Sequence, residues 1–417
     1  MAHPARPAHP GPSRRSLLRS GTVLAALALT GGCSSDSGDE QPPSPAGTAS
    51  SPAPSAAGSP GATAARAMPA ESAPHTRTFM AWPALEEVWG DQLPGVREDI
   101  AGLARVIAGF EPVVLLARPD QAEQARQACG STVEVLELMV DDLWARDTGP
   151  TFVTGPQGLA GIDLNFNGWG NKQTHANDSQ VARNLLDHYG IPRIQAPITG
   201  EGGGIEVDGE GTLMATESSW VNPNRNPGRS RDQVEAAFKD LLGVSTVLWF
   251  QGVAGQDITD CHIDALARFA EPGTVVIHRP GPDTPPDIWT TASDQALQVL
   301  ASAKDARGRT LKVVDLPEPD LDLIPGAGKD FLATYLNYYV CNGGVIVPRF
   351  GDRAADDRAA GIIGDLHPGR KVSQVSINHI ASGGGGIHCA TQQQPAGPSS
   401  GPGSGSGTAP APGSGPA

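Results

Sequence analysis

Two hydrophobic rhythms alternate along the middle of the chain. Apolar positions first recur at helical spacing, and a short β-branched run then follows. The pattern predicts helices over about Asp120–Cys129, Ser179–Tyr189, Ser230–Gly243, Asp294–Ala303 and Asp356–Leu366. The strands expected after them are Val133–Leu138, Pro192–Ile198, Thr246–Phe250, Leu311–Leu316 and Val372–Ile377. The third helix opens with a capping box, Ser230-Arg231-Asp232-Gln233. Further apolar strands are expected at Val113–Leu116, Thr274–His278 and Gly344–Pro348. Five helix-then-strand units at intervals of roughly 50 to 65 residues indicate a repeat architecture. A doubly wound sheet is the alternative, but it calls for longer connecting helices and a glycine-rich phosphate loop after its first strand. Five similar α/β units can instead close into a ring with a central pocket.

Composition divides the 417 residues into four segments. Residues 1–33 carry Ser13-Arg14-Arg15-Ser16-Leu17-Leu18, similar to a twin-arginine export signal. The apolar run Val23–Leu29 follows, too short to span a bilayer. Leu29-Thr30-Gly31-Gly32-Cys33 then resembles a lipobox, with Cys33 as the lipidated residue and its leucine one place further away than usual. Residues 34–72 are rich in Ser, Pro, Ala and Gly and read as a disordered tether. The folded part is expected over 73–395, and 396–417 reads as a disordered Gly/Ser/Pro tail. The sequence therefore predicts an exported protein, extracellular or held at the cell surface by a lipid anchor.

The net charge of −15 argues against nucleic acid and against a basic membrane-binding face. It suits a cationic small substrate. The five cysteines form no CxxC pair and no disulfide framework, so no structural metal is expected.

Polar clusters fall in the links between the units. They are Asp141–Pro150, Asp163–Gly170, Gly200–Gly209, Asp257–Asp264 and Gly383–Pro395. Gly149-Pro150 should end an element just after Asp147, where sites are built. Trp169 reads as an exposed aromatic in a turn-rich loop. His262 and Asp264 would share one face if they lie on a strand. The run Gly383–Gly386 before Cys389 reads as backbone passing close to a ligand or at positive φ, and not as packing. A thiol, an imidazole and several carboxylates together suit attack on a guanidinium carbon. Carboxylates can grip the planar cation. A Cys389 thiolate can attack it, and His262 can protonate the leaving amine and then activate water. An amidinotransferase, a non-catalytic guanidinium binder and a metal-dependent hydrolase using His262, Asp264 and His388 are the competing readings.

Several motifs occur in order: Met80-Ala81-Trp82-Pro83, Trp144–Pro150, Asn165–Gly170, Glu201-Gly202-Gly203, Asn222–Asn226, His262-Ile263-Asp264 and Gly383–Pro395. Together they resemble the agmatine deiminase and bacterial peptidyl-arginine deiminase family. The resemblance implies the pentein fold, a five-bladed α/β propeller with its site on the axis. It implies hydrolysis of a guanidine to a ureido group and ammonia, without cofactor or metal. By motif, Cys389 is the nucleophile, His262 the acid and base, and Asp147 and Asp264 the guanidinium ligands. Trp144, Asn337, Glu201, Trp169 and Gly386 are expected to bind substrate. Glu201, Glu206 or Asp208 would supply charge for the ammonium end of agmatine. Cys261 departs from the family, which commonly has glycine before the histidine. Agmatine is the expected substrate, with arginine peptides as the alternative and a homodimer left open.

Overall fold

The computed structural model describes residues 66–397 apart from 282, 283, 285 and 329. The Arg14-Arg15 signal, Cys33, the tether as far as residue 65 and the tail beyond 397 lie outside the described residues.

The described residues form five small sheets. The first contains β1 (His75–Ala81), β2 (Val113–Ala117) and β3 (Glu134–Glu137). The helix Leu93–Ile107 connects β1 to β2, and Ala122–Cys129 connects β2 to β3. The next four blades repeat one plan: an antiparallel hairpin, a helix, and a third strand parallel to the second. The second blade is β4 (Thr151–Gly155), β5 (Gly158–Asp163), the helix Val181–Tyr189 and β6 (Arg193–Gln195). The third is β7 (Glu206–Val207), β8 (Thr212–Thr216), the helix Arg231–Leu242 and β9 (Thr246–Phe250). The fourth is β10 (Ala267–Glu271), β11 (Thr274–His278), the helix Ile288–Ser302 and β12 (Lys312–Leu316). The fifth is β13 (Tyr339–Cys341), β14 (Gly344–Arg349), the helix Arg353–Leu366 and β15 (Lys371–Ser376). The chain then returns to the first blade, where β16 (Gln392–Pro395) pairs antiparallel with β1.

Hydrophobic packing closes the ring. Phe79 and Val114 of the first blade share a cluster with Phe152 and Leu185 of the second. Val153 and Ile162 pack with Leu213 and Phe238 of the third blade. Met214 and Phe250 pack with Phe269 and Val275 of the fourth. A larger cluster joins Val276 of the fourth blade, Ile346 of the fifth and Leu115 of the first. Each blade therefore buries its faces against its neighbours.

The five-unit reading agrees with this architecture, with one correction. The helix Leu93–Ile107 was not expected, and it is the amphipathic helix that covers the first blade, with Val96, Ile100, Leu103 and Ile107 buried. Pro94-Gly95 at its start looks like a break in the sequence. Proline is tolerated there because the first turn has no backbone partner for its N–H. The Ser230 capping box is present as read, with both reciprocal bonds made.

The boundary expected at residue 73 falls inside a structured N-terminal arm. Ala67 exchanges backbone hydrogen bonds with Thr154 at 2.8 and 2.9 Å, and the Met68 N–H donates to the Leu242 carbonyl at 3.0 Å. Ala70 lies against Gly209. Arg268 meets Glu71 at 3.0 Å, and Arg370 donates to the Ser72 carbonyl at 2.6 Å. The arm thus touches the second, third, fourth and fifth blades before it enters the first.

Phe238 is fully buried between Trp220 and Trp249, with ring centroids 4.7 and 5.8 Å away. Phe238→Ala is expected to destabilise the protein by about 3–5 kcal/mol, read as a lower denaturant midpoint.

Candidate active site

One short turn precedes the first strand of each hairpin, and the equivalent turn in the first blade precedes β16. These turns are Trp144–Thr148, Glu201–Gly204, His262–Ala265, the segment ending at Asn337, and Gly386–Ala390. They meet one another in sequence around the ring. The Arg146 N–H donates to the Cys389 carbonyl at 3.1 Å. The Gly203 N–H donates to Asp147 Oδ1 at 3.0 Å. His262 Nε2 meets Glu201 Oε2 at 3.2 Å, and Asn337 Nδ2 donates to Asp264 Oδ2 at 3.1 Å. The His388 N–H closes the circle on the Asn337 carbonyl at 3.1 Å. The fold therefore brings Asp147, Glu201, His262, Asp264, Asn337 and Cys389 together at one place, one turn from each blade.

Asp147 lies in the short helix Ala145–Thr148, which stops at Gly149 as the sequence suggests. Its Oδ2 accepts from the Trp169 indole at 2.9 Å. Asp264 Oδ2 accepts from His388 Nδ1 at 2.8 Å and lies 3.4 Å from Cys389 Sγ. Gly203 forms the floor between them. A Cβ there would stand 2.7 Å from His262 Nδ1, 2.9 Å from Asp147 Oδ1 and 3.2 Å from Asp264 Oδ2. His262 Nδ1 is buried with no hydrogen-bond partner and lies 3.8 Å from Asp147 Oδ1. Carboxylate oxygens facing one space are the acceptors that a planar, donor-rich cation would complete, and the unpartnered His262 Nδ1 beside them is free to hand a proton to a departing nitrogen.

Electrostatics assign different states to these groups. Burial disfavours a charged His262, but Asp147 and Glu201 outweigh it and raise its pKa to about 9. Burial would raise Asp264, yet the hydrogen bond and charge of His388 hold it down at about 2. Asp147 is raised, chiefly by burial. Burial and the charges of Asp264 and Asp147 push the Cys389 thiol well above its usual range. Without a cation in the site the sulfur is a thiol. A cation held between the two aspartates would offset both charges and favour the thiolate.

The remaining expected residues sit differently from their sequence reading. His262 and Asp264 do not lie on a strand. Asp264 is in the tight turn Ile263–Ala265, and His262 caps it in extended conformation. Trp169 is 2% exposed, where an exposed aromatic was expected. Its ring packs edge-on against Phe166 and its N–H is taken by Asp147. Glu201 lies behind the imidazole, where Arg225 Nε donates to both of its oxygens at 2.8 and 2.9 Å. It holds His262 and offers nothing to a substrate's far end. Glu206 is bound to Arg268 and to the Phe269 N–H, and Asp208 caps its own turn through Glu210 and Thr212. Three of the four glycines do pack, contrary to expectation, and only the remaining one shows the expected positive φ. A Cβ on Gly383 would stand 2.2 Å from Trp89, one on Gly385 2.1 Å from Trp144, and one on Gly386 2.5 Å from Asn337. Gly384 takes the positive φ, at 84°. Gly386 and Trp144 thus seat the loop that carries Cys389.

Cys261 faces the apolar cluster of Met214, Leu248 and Phe250, and burial pushes its thiol up to about 12. Cys129, Cys261, Cys341 and Cys389 are all unpaired. Three residues of the polar clusters turn out to be supports whose partners the sequence did not reveal. Asp142 accepts from both Trp89 and Trp144, at 2.7 and 3.1 Å. Asp260, at positive φ of 60°, gathers Lys172 and Arg225, each at 2.7 Å. His388 bridges Asp264 and Glu71, at 2.8 Å on each side. Apart from Asp142 with Trp144, these contacts join residues far apart in the chain, so no local spacing marks them. Among the described residues no group of three or more His, Cys, Asp or Glu has the geometry of a metal site.

Known proteins resemble this chain. A family model described as Porphyromonas-type peptidyl-arginine deiminase matches residues 67–395. A Streptomyces coelicolor relative, named provisionally an agmatine deiminase, is 44% identical over 338 residues, covering 79% of this chain and 98% of its own. The agmatine deiminase of Stutzerimonas stutzeri is 38% identical over 353 residues, covering 79% of this chain and 95% of its own. Among solved structures, the agmatine deiminase of Enterococcus faecalis aligns with a TM-score of 0.74 at 31% identity, covering 79% of this chain and 96% of its own.

The His262 geometry fixes a pH dependence. A folded pKa of about 9 against an ordinary 6.5 contributes stability that is complete below about pH 6.5 and is lost as pH rises through about 9. Glu201→Gln removes one of the carboxylates that raise it. The fall in denaturation midpoint between pH 6.5 and 9 is expected to be smaller in that variant than in the wild type.

Proposed function

Because the chain belongs to the agmatine deiminase and Porphyromonas-type peptidyl-arginine deiminase family, we propose that it hydrolyses agmatine to N-carbamoylputrescine and ammonia through a covalent adduct on Cys389. At the coarser level it is a hydrolase of C–N bonds that deiminates guanidines, built on the five-bladed pentein fold. The observation that carries the finer reading is the cage around Gly203, where Asp147, Asp264 and the unpartnered His262 Nδ1 converge beside Cys389.

In this mechanism the guanidinium lies between Asp147 and Asp264. Its charge offsets theirs, and as it enters, the Cys389 thiol gives up its proton to water. The sulfur attacks the central carbon to form a tetrahedral adduct. His262, charged at neutral pH, gives a proton to the departing nitrogen, and the C–N bond breaks to release ammonia. A thiouronium remains on the sulfur. Neutral His262 then takes a proton from water as its oxygen attacks the same carbon. Collapse of the second adduct breaks the C–S bond, its hydroxyl proton passes to the departing sulfur, and the ureido product leaves Cys389 as the thiol and His262 recharged.

Two observations support agmatine over an arginine peptide. The Cys389 residue is only 8% exposed, which suits a narrow unbranched tail better than a peptide strand. Lys172, the one cation in the loop after Asn165 that could bind a carboxylate, is tied to Asp260 at 2.7 Å and to the Ile258 carbonyl at 3.0 Å. Export by the twin-arginine route, with Cys33 as a lipid anchor, belongs to the same proposal and rests on the sequence of residues 13–33.

Cys389→Ala is expected to lose activity by about a thousandfold or more while keeping its fold, since it removes the covalent path outright. More than a few per cent of residual ureido formation would overturn the mechanism. In a direct comparison, kcat/KM for agmatine should exceed that for free arginine and for an arginine peptide. A higher value for the peptide would reverse the substrate assignment and leave the chemistry standing. Replacing Arg14 and Arg15 with Lys should retain the protein inside the cell, and unimpaired export of that variant would remove the route.

A further inference from the structure

We propose that Glu71, on the N-terminal arm, is a positioning residue for this site: its carboxylate sits behind the two substrate-facing aspartates and holds both in register. The inference rests on the guanidine-hydrolase reading above. Glu71 lies outside the turns that build the site, and none of the chemistry described so far uses it.

The geometry carries the proposal. Glu71 Oε2 lies 2.8 Å from His388 Nε2 and 3.1 Å from Arg146 Nη2. Glu71 Oε1 lies 3.0 Å from Arg268 Nη2 and accepts from the Val340 N–H at 2.9 Å. These four partners belong to the first, second, fourth and fifth blades, so one carboxylate joins four of the five at the axis. Two of the partners lead directly to the site. His388 carries the line to Asp264 Oδ2, 2.8 Å from its other ring nitrogen. Arg146 immediately precedes Asp147, and its own N–H is bonded to the Cys389 carbonyl at 3.1 Å. Glu71 therefore stands behind Asp264 through one imidazole and behind Asp147 through one residue of backbone.

The residue type matters as much as the place. Ionised carboxylate oxygens accept hydrogen bonds and cannot donate. His388 lies between two such groups, with one carboxylate oxygen 2.8 Å from each ring nitrogen. Burial opposes the charge on Glu71, but Arg268, His388 and Arg146 outweigh it and hold its pKa well below the ordinary value. A glutamine of the same shape supplies a single acceptor oxygen and turns an NH2 group toward a donor. It cannot satisfy both the His388–Arg146 side and the Arg268–Val340 side.

The test uses the full chain with Glu71→Gln, His388→Gln and both together. Three quantities are read: kcat and KM for agmatine, the thermal midpoint, and the rate of Cys389 alkylation by a haloacetamidine relative to iodoacetamide. The amidinium reagent needs the aspartate cage in register, whereas the neutral reagent reports only the thiol. Each single variant should lose about tenfold or more in kcat/KM, mainly through KM, with a matching fall in the alkylation ratio. The double variant should be no worse than the weaker single, as for two members of one line. An unchanged alkylation ratio and KM, even with a lower thermal midpoint, would make Glu71 a strap only and overturn the proposal. Additive losses in the double variant would overturn it as well. If Glu71→Gln does not fold, His388→Gln decides the matter by the same ratio. Should the wild type hydrolyse no guanidine at all, the reading above fails separately, and the alkylation ratio still reports whether Glu71 sets the cage.

Discussion

Asp264 Oδ2 is the atom on which the site depends. Asn337 and His388 donate to it at 3.1 and 2.8 Å, and the Cys389 sulfur lies 3.4 Å away. Those contacts come from the fifth blade and from the loop that ends in the first, while Asp264 itself belongs to the fourth. One carboxylate oxygen thus fixes the relative position of nucleophile, neighbouring blade and binding group. It can do so because it stays charged in a buried place, and it stays charged because His388 faces it.

Buried charge recurs along the axis, and it is compensated in layers. Glu201 is held by Arg225, Arg225 by Asp260, and Asp260 by Lys172, which is the point where the series reaches solvent. Behind the site Arg268 joins Glu206 and Glu71. Such pairs contribute little net stability once desolvation is counted, yet removing one partner strands the other. Their effect here is geometric, since each pair links segments far apart in sequence. The aromatic groups act in the same way. Trp89 and Trp144 share Asp142, and the glycine loop lies against both rings.

Much of this was legible in the sequence where the signal is local. The helix from Arg231 begins at its Ser230 box, and Gly149 ends the turn that carries Asp147. The recurrence of units indicated a ring, although the first blade was misread because Pro94-Gly95 hid the start of Leu93–Ile107. What could not be read depends on contacts across blades. Trp169 looks solvent-facing in its polar loop, but the carboxylate that claims its N–H is Asp147, on another turn. Glu201 looks available to a ligand until Arg225 is seen beside it. The packing of the 383–386 glycines went unread because the side chains they make room for, Trp89, Trp144 and Asn337, are remote in sequence.

The pairing of β16 with β1 has a consequence for biosynthesis. Among the described strands, the one that completes the first blade is the last to be made, and Cys389 lies three residues before it. Domains begin to fold from the N-terminus as the chain emerges, but here the opening strand waits for the closing one. Four turns can be in place on a nascent chain while the fifth is still missing. The contact between the thiol and Asp264 therefore depends on the segment that joins the first blade from the far end of the sequence.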